Sequence, residues 1–204
     1  MKLDKLKIKI FADGADIDSI KKLNSNSYIK GFTTNPSLMK KAGIKDYKDF
    51  ALKLLSEIKD KPVSFEVFSD EISVMEKQAY EISKWGKNVN VKIPVTNTKK
   101  ESTAELIRKL SLKGIICNVT ALFTFDQVKE VYDAIDKSTP SILSIFAGRI
   151  ADTGIDPSNI INDSVDLVKS KPKTEVLWAS TRETLNIFQA EYRKTQQDYY
   201  RYAW

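Results

Sequence analysis

The sequence predicts an α/β protein of serial strand–helix units closed as a (β/α)8 barrel, with its eighth strand missing or degenerate. Three observations predict it. Short β-rich runs alternate with longer amphipathic segments, a pattern that implies a parallel sheet. Seven such runs recur at fairly even intervals along 204 residues. No Gly-rich phosphate loop follows any run, as a doubly wound nucleotide-binding sheet would require.

The runs are LKIKIFAD (6–13), YIKGFTT (28–34), VSFEVFS (63–69), NVNVKIPV (88–95), KGIICNV (113–119), SILSIFA (141–147) and TEVLWAS (174–180). Between most of them lie segments such as DYKDFALKLLSEIK (46–59), SDEISVMEKQAYEISKWG (69–86) and TFDQVKEVYDAIDK (124–137). Their apolar residues recur at spacings of three and four, the period of an amphipathic helix. No linker or composition break interrupts the pattern, so residues 1–204 read as one domain with an atypical tail over about 190–204. That tail, YRKTQQDYYRYAW (192–204), has charges and aromatics but no alternating aliphatic strand. Three accounts of it compete: a degenerate eighth element, a shortened natural variant, or a late shift of reading frame. The distinction bears on closure, because an open barrel exposes strand edges.

Composition narrows the chemistry. An apolar fraction of 42% and a charged fraction of 29% are ordinary for a soluble globular domain. No run is long and apolar enough for a membrane span. The lysine-rich start turns at once into a strand-like pattern and is not expected to be a signal peptide. A single cysteine, Cys117, excludes an internal disulfide and suits a reducing cytoplasm. Its parity, opposite to Asn118, predicts a small outward-facing core residue. There is no histidine at all. Histidine-based triads and histidine-ligated metals are therefore excluded, and attention moves to lysine, carboxylates, tyrosine or the one thiol. The net charge of +6 comes from lysines scattered singly and in pairs among acids. That is a solvated surface rather than a nucleic-acid footprint, and it is compatible with a phosphorylated substrate.

Strand parity then singles out residues. In a barrel covered by helices, outward strand positions are apolar, and polar groups point inward or lie at the C-terminal mouth. Val89, Val91 and Ile93 form one face of their run, Asn90 and Lys92 the other. Phe65 opposes Ser64 and Glu66; Ile10 opposes Phe11 and Asp13; Asn118 and Thr120 share the face of Ile116; Ser180 and Arg182 share parity just beyond the last run. Five strands thus aim a polar group the same way near their C-terminal ends, where this architecture places catalysis. An inward lysine among apolar residues is partly desolvated, which disfavours the ammonium and leaves a nucleophilic amine. The competing expectation is a structural ion pair, Lys92 with Glu66 or Lys92 with Asp13.

The segment GFTTNPSLM (31–39) resembles the first transaldolase signature, a strand ending in T-[ST]-N-P that enters a helix. Local physics agrees, since Asn35 suits an N-cap and Pro36 a first helical turn. FADGAD, VSFEV, NVKIPVT, GIICNVTALFTFDQ, SIFAGRI and ASTR resemble further segments of that family in the family's order, over about residues 8–188. The resemblance implies a TIM barrel and a metal-free, cofactor-free mechanism through a lysine Schiff base. It implies that Lys92 forms the imine, that Asp13 exchanges the C4 hydroxyl proton, and that Glu66 and Thr120 hold a catalytic water. It implies that Asn35 and Asn118 bind the dihydroxyacetone part, that Arg149, Ser180 and Arg182 bind the phosphate, and that Thr33 also belongs to the substrate site. Ser144 is read equally as strand filler or a binding contact.

Members of the family either transfer the three-carbon unit between sugar phosphates or release it as free dihydroxyacetone. The resemblance associates phenylalanine at Phe146 with transfer and tyrosine there with aldolase activity. Phe146 therefore predicts a transaldolase, with a fructose-6-phosphate aldolase and a binding-only sugar-phosphate barrel as alternatives. The resemblance also implies a homo-oligomer, a decamer or pentamer, with Tyr199, Tyr200 and Tyr202 expected at a subunit contact. No nucleic acid or membrane is expected as a partner.

Overall fold

The structure, a computed structural model, describes residues 6–192 and the backbone of 200–203. Eight parallel strands run in sequence order around a closed barrel. They are β1 (Lys9–Asp13), β2 (Ile29–Thr33), β3 (Val63–Glu66), β4 (Val89–Pro94), β5 (Cys117–Leu122), β6 (Ser141–Ile145), β7 (Thr174–Trp178) and β8 (Tyr200–Ala203). The helices between them are α1 (Ile17–Asn24), α2 (Pro36–Lys41), α3 (Tyr47–Glu57), α4 (Ile72–Ser83), α5 (Ala104–Leu112), α6 (Phe125–Ala134), α7 (Ala147–Ala151), α8 (Ser158–Val168) and α9 (Leu185–Tyr192).

The tail supplies an eighth strand, degenerate in its side-chain pattern. Three of its four residues pair with each neighbour, Tyr202 lying opposite Trp178 of β7 and opposite Ile10 of β1, so the ring closes. Ladder hydrogen bonds come from the backbone, which any non-proline residue supplies. Strand formation here needs no aliphatic alternation. Of the tail tyrosines expected at a subunit contact, Tyr200 and Tyr202 belong to β8, and Tyr199 lies outside the described residues.

The fifth run is displaced from its expected place. KGIICNV spans 113–119, whereas the strand is Cys117–Leu122. Lys113 and Gly114 instead close α5: the Gly114 amide donates to Ser111 O, and Gly114 takes a φ of 75° that favours glycine. The chain becomes extended only after that stop.

Outward strand residues pack against the helices. Val91, Ile93, Val119, Leu143 and Val176 are fully buried among Leu54, Ala79, Ile107, Leu110, Val128, Val131 and Ile161. Each fully buried aliphatic side chain contributes about 1.5–3 kcal/mol. Cys117 belongs to this outer core as expected, and burial pushes its thiol up to about 12. Trp178, 2% exposed, is buried there too. No described helix is long and apolar enough to cross a membrane.

Inside the barrel, β1 and β2 meet through Phe11 and Gly31, paired in register. A Cβ on Gly31 would lie 2.2 Å from the Phe11 ring, which is itself 1% exposed and cannot withdraw. Gly31→Ala is therefore expected to destabilise the fold at the upper end of about 1–3 kcal/mol, measured by urea unfolding. Adding Phe11→Leu in the same chain should recover part of that loss, because the two positions share one space.

Candidate active site

Every candidate named from the sequence lines one cavity of about 700 Å³ at the C-terminal mouth of the barrel: Asp13, Thr33, Asn35, Glu66, Lys92, Asn118, Thr120, Ser144, Phe146, Arg149, Ser180 and Arg182. Strand register explains the convergence at its centre. Glu66 lies opposite Lys92 across β3–β4, and Lys92 opposite Asn118 across β4–β5. Side chains directly across a ladder are neighbours.

Lys92 is mostly buried, its side chain 12% exposed. Its Nζ lies 3.0 Å from Glu66 Oε2 and donates to Thr34 O at 3.2 Å. The ion-pair expectation thus resolves to Glu66. A buried pair of this kind is weak evidence for a purely stabilising role, because desolvation offsets most of the attraction. Thr120 is 2% exposed, and its Oγ1 has no hydrogen-bond partner among the described residues. The residue lines the cavity with Lys92 and Glu66, and its buried hydroxyl keeps its donor and acceptor capacity unused.

Asp13 stands at the end of β1 and is held from β2. Thr33 Oγ1 donates to its Oδ1 at 3.0 Å, and Asn35 Nδ2 donates to its Oδ2 at 3.0 Å. Asn35 serves twice: its Oδ1 also accepts the Leu38 amide at 2.9 Å, capping α2. Asp13 is exposed to the cavity, yet the protein wall around it partly desolvates its carboxylate. That desolvation, the largest influence, raises its pKa above the ordinary carboxylate value; Lys92, Thr33, Asn35 and the Gly14 backbone act in the opposite direction. A carboxyl group poised in this way suits repeated loss and gain of a proton.

Beneath Lys92 runs a buried polar chain. Ser144 Oγ donates to Asn118 Oδ1 at 2.6 Å, and Asn118 Nδ2 donates to Ser64 Oγ at 3.0 Å. Together these bonds fix the Asn118 amide, leaving it one further donor and one further acceptor site. Ser144 is therefore a member of a network rather than filler. Just beyond the end of β6, Phe146 packs with Ile142, Leu177 and Ala179 and meets Phe123 edge-on at 5.6 Å.

The cationic rim comes from the ends of β6 and β7. Arg149 projects from α7; Ser180 and Arg182 follow β7. Arg182 Nη1 donates to Ser180 O at 2.8 Å and to Ser180 Oγ at 3.1 Å. Two guanidiniums and a hydroxyl suit a phosphate in charge and hydrogen bonding, with Arg182 already spending most of its donors on Asp152, Ser180 and Thr181.

Sequence reasoning missed several contributors. Lys41 and Ser37 of α2 also line the cavity. Tyr47 donates its hydroxyl to Glu66 O at 3.0 Å, and burial pushes its phenol well above the ordinary value. Asp152 pairs with Arg182, which holds its carboxyl below the usual range. Tyr47 and Asp152 have no signal in local pattern, since their partners lie 19 and 30 positions away in the chain.

Comparison with known proteins agrees with the geometry. Residues 10–195 match the sequence model of a family described as transaldolase/fructose-6-phosphate aldolase. A probable transaldolase of Dehalococcoides mccartyi is 38% identical over 184 residues, 90% of this chain and 82% of that protein. A probable transaldolase of Nitrosopumilus maritimus is 37% identical over 185 residues, 90% of this chain and 79% of that protein. Among solved structures, a 2,3-dimethylmalate lyase of the PEP mutase/isocitrate lyase superfamily superposes with a TM-score of 0.62 at 11% identity. It covers 98% of this chain and 78% of its own. At that identity the likeness is one of fold alone.

Proposed function

The chain belongs to the transaldolase/fructose-6-phosphate aldolase family, and from that premise we propose that it is a transaldolase acting through a Schiff base on Lys92. The observation that carries this reading is the placement of Lys92 Nζ against Glu66, in one cavity with Asp13 and Thr120.

In this reading the neutral amine of Lys92 adds to C2 of a ketose phosphate such as fructose 6-phosphate. Glu66, its partner at 3.0 Å, takes the ammonium proton beforehand, and water leaves to give the iminium. Asp13 then accepts the C4 hydroxyl proton. The C3–C4 bond breaks, its electrons move into the enamine on Lys92, and glyceraldehyde 3-phosphate departs. An acceptor such as erythrose 4-phosphate enters, the enamine attacks its aldehyde carbon, and Asp13 returns the proton to the new hydroxyl. Water held by Glu66 and Thr120 hydrolyses the iminium and releases sedoheptulose 7-phosphate. Asn35 and Asn118 hold the three-carbon unit throughout, and the arginine rim holds the phosphate. The exchange belongs to pentose phosphate metabolism in a reducing cytoplasm, and the subunits assemble as homo-oligomers.

Transfer rather than aldol release rests on Phe146. A phenyl ring lining the cavity neither binds nor activates water, as a phenol would. The enamine is then spared protonation until an acceptor arrives. The test is the ratio of sedoheptulose 7-phosphate formed to dihydroxyacetone released, with and without erythrose 4-phosphate. Wild type should favour transfer, and Phe146→Tyr should raise dihydroxyacetone release relative to transfer by about tenfold or more. An unchanged ratio removes the case for transfer over the aldolase reading.

A further inference from the structure

Asp152 is the C-cap residue of α7, three positions after Arg149. Its carboxylate grips Arg182 side-on: Nε donates to Oδ1 at 3.0 Å and Nη2 donates to Oδ2 at 2.5 Å. The same guanidinium donates from Nη1 to Ser180 O and Oγ. Ser180 is held at a φ of 58°, a left-handed conformation that serine seldom adopts. Gly148, also on α7, lies so close that a Cβ there would stand 1.8 Å from Ser180 O. The connections after β6 and β7 are thus tied into one ring, from Asp152 through Arg182 and Ser180 back to Gly148.

This ring does little for the stability of the fold. The Arg182 and Asp152 side chains are 40% and 50% exposed, and ion pairs that open to water contribute little. What the bidentate grip does fix is direction. Arginine is long and flexible, and a phosphate meeting it unheld would have to order it on binding. Of the five N–H groups of Arg182, those on Nε and Nη1 and one on Nη2 are engaged by Asp152 or by the Ser180–Thr181 segment. The second N–H of Nη2 is left for a ligand, as is the Ser180 hydroxyl proton. The negative charge of Asp152 would repel a phosphate, but that effect is screened at an exposed rim and offset by Arg149, which lines the same cavity.

We propose that Asp152 is a positioning residue for phosphate recognition: by holding Arg182, and through it Ser180, it sets the preference for phosphorylated over unphosphorylated donors. The inference rests on the reading of Arg149, Ser180 and Arg182 as the phosphate site.

Steady-state kinetics on fructose 6-phosphate and on unphosphorylated fructose test it, alongside calorimetric binding of inorganic phosphate to the whole chain. Asp152→Ala should raise KM for fructose 6-phosphate and Kd for inorganic phosphate by about tenfold each. It should leave kcat within about twofold, the Tm unchanged, and kcat/KM on fructose unchanged. Asp152→Asn, which keeps one acceptor oxygen, should recover part of the loss. Tighter phosphate binding in both variants would show Asp152 to be a mere repelling charge and overturn the proposal. Unchanged phosphate affinity, or equal losses on both sugars with a fallen Tm, would overturn it as well. Absence of turnover by wild type would defeat the transaldolase reading alone, since phosphate binding is still measured on the same three proteins.

Discussion

Lys92→Arg should abolish transfer from fructose 6-phosphate, lowering kcat by on the order of 10⁴-fold or more, while the protein stays folded. Arginine retains the positive charge beside Glu66 but is not deprotonated in proteins and offers no nucleophilic amine. The choice of arginine matters. Lys92→Met would leave the Glu66 carboxylate, its side chain 17% exposed, without its cation, and breaking a buried pair costs about 3–5 kcal/mol. A dead but unfolded methionine variant would say nothing about chemistry. A dead arginine variant with a wild-type Tm assigns the loss to the amine. Activity within tenfold of wild type in Lys92→Arg would instead leave the Lys92–Glu66 pair as structure only.

Asp13→Ala should lower kcat by about 10²–10⁴-fold, the range spanned by general acid–base groups. It should also change what accumulates. Imine formation does not use Asp13 in the proposed sequence, so the whole six-carbon ketose phosphate should be held on Lys92, uncleaved. Mass spectrometry of the reduced adduct distinguishes this from a three-carbon remnant, and a three-carbon adduct at the wild-type rate would remove Asp13 from the cleavage step. The pH profile carries a second check. Asp13 must be ionised to accept the proton, so kcat/KM should fall as pH drops through its folded pKa. Burial raises that pKa, so the acidic limb should lie above the ordinary carboxylate range. Thr33 donates to Oδ1 and lowers it, so Thr33→Val should move the limb to still higher pH. The same raised pKa has a sign for stability. The folded state holds the proton more tightly than the unfolded chain, so this contribution is complete at low pH and is lost as pH rises through the folded pKa.

The sequence carried the centre of the site well because strand parity is a strong constraint. A one-residue slip would turn Lys92 outward into the layer of Val91 and Ile93, so the alternation in NVNVKIPV almost dictates an inward lysine. TTNP was readable for a similar reason: Asn35 and Pro36 satisfy a helix start by local rules alone. Legibility failed where structure depends on distant partners. Asp152 looks like any exposed helix-end acid until the loop after β7 brings Arg182 to it. Tyr47 reads as one more aromatic on an amphipathic helix until its hydroxyl meets the carbonyl of Glu66. The eighth strand failed in another way. Its side chains lack the aliphatic pattern, but β1 and β7 present backbone edges that Tyr200–Ala203 completes. The fifth strand starts later than its run of residues suggests, because Lys113–Gly114 closes a helix and the strand begins only at Cys117.

The central claim is the covalent role of Lys92, and borohydride reduction of the wild-type protein in the presence of fructose 6-phosphate tests it most directly, with peptide mass spectrometry to locate the product. The account predicts a reduced three-carbon adduct on the peptide carrying Lys92, discharged when erythrose 4-phosphate is added before the borohydride. A folded protein that yields no adduct, or one that carries it on a different lysine, would contradict the account.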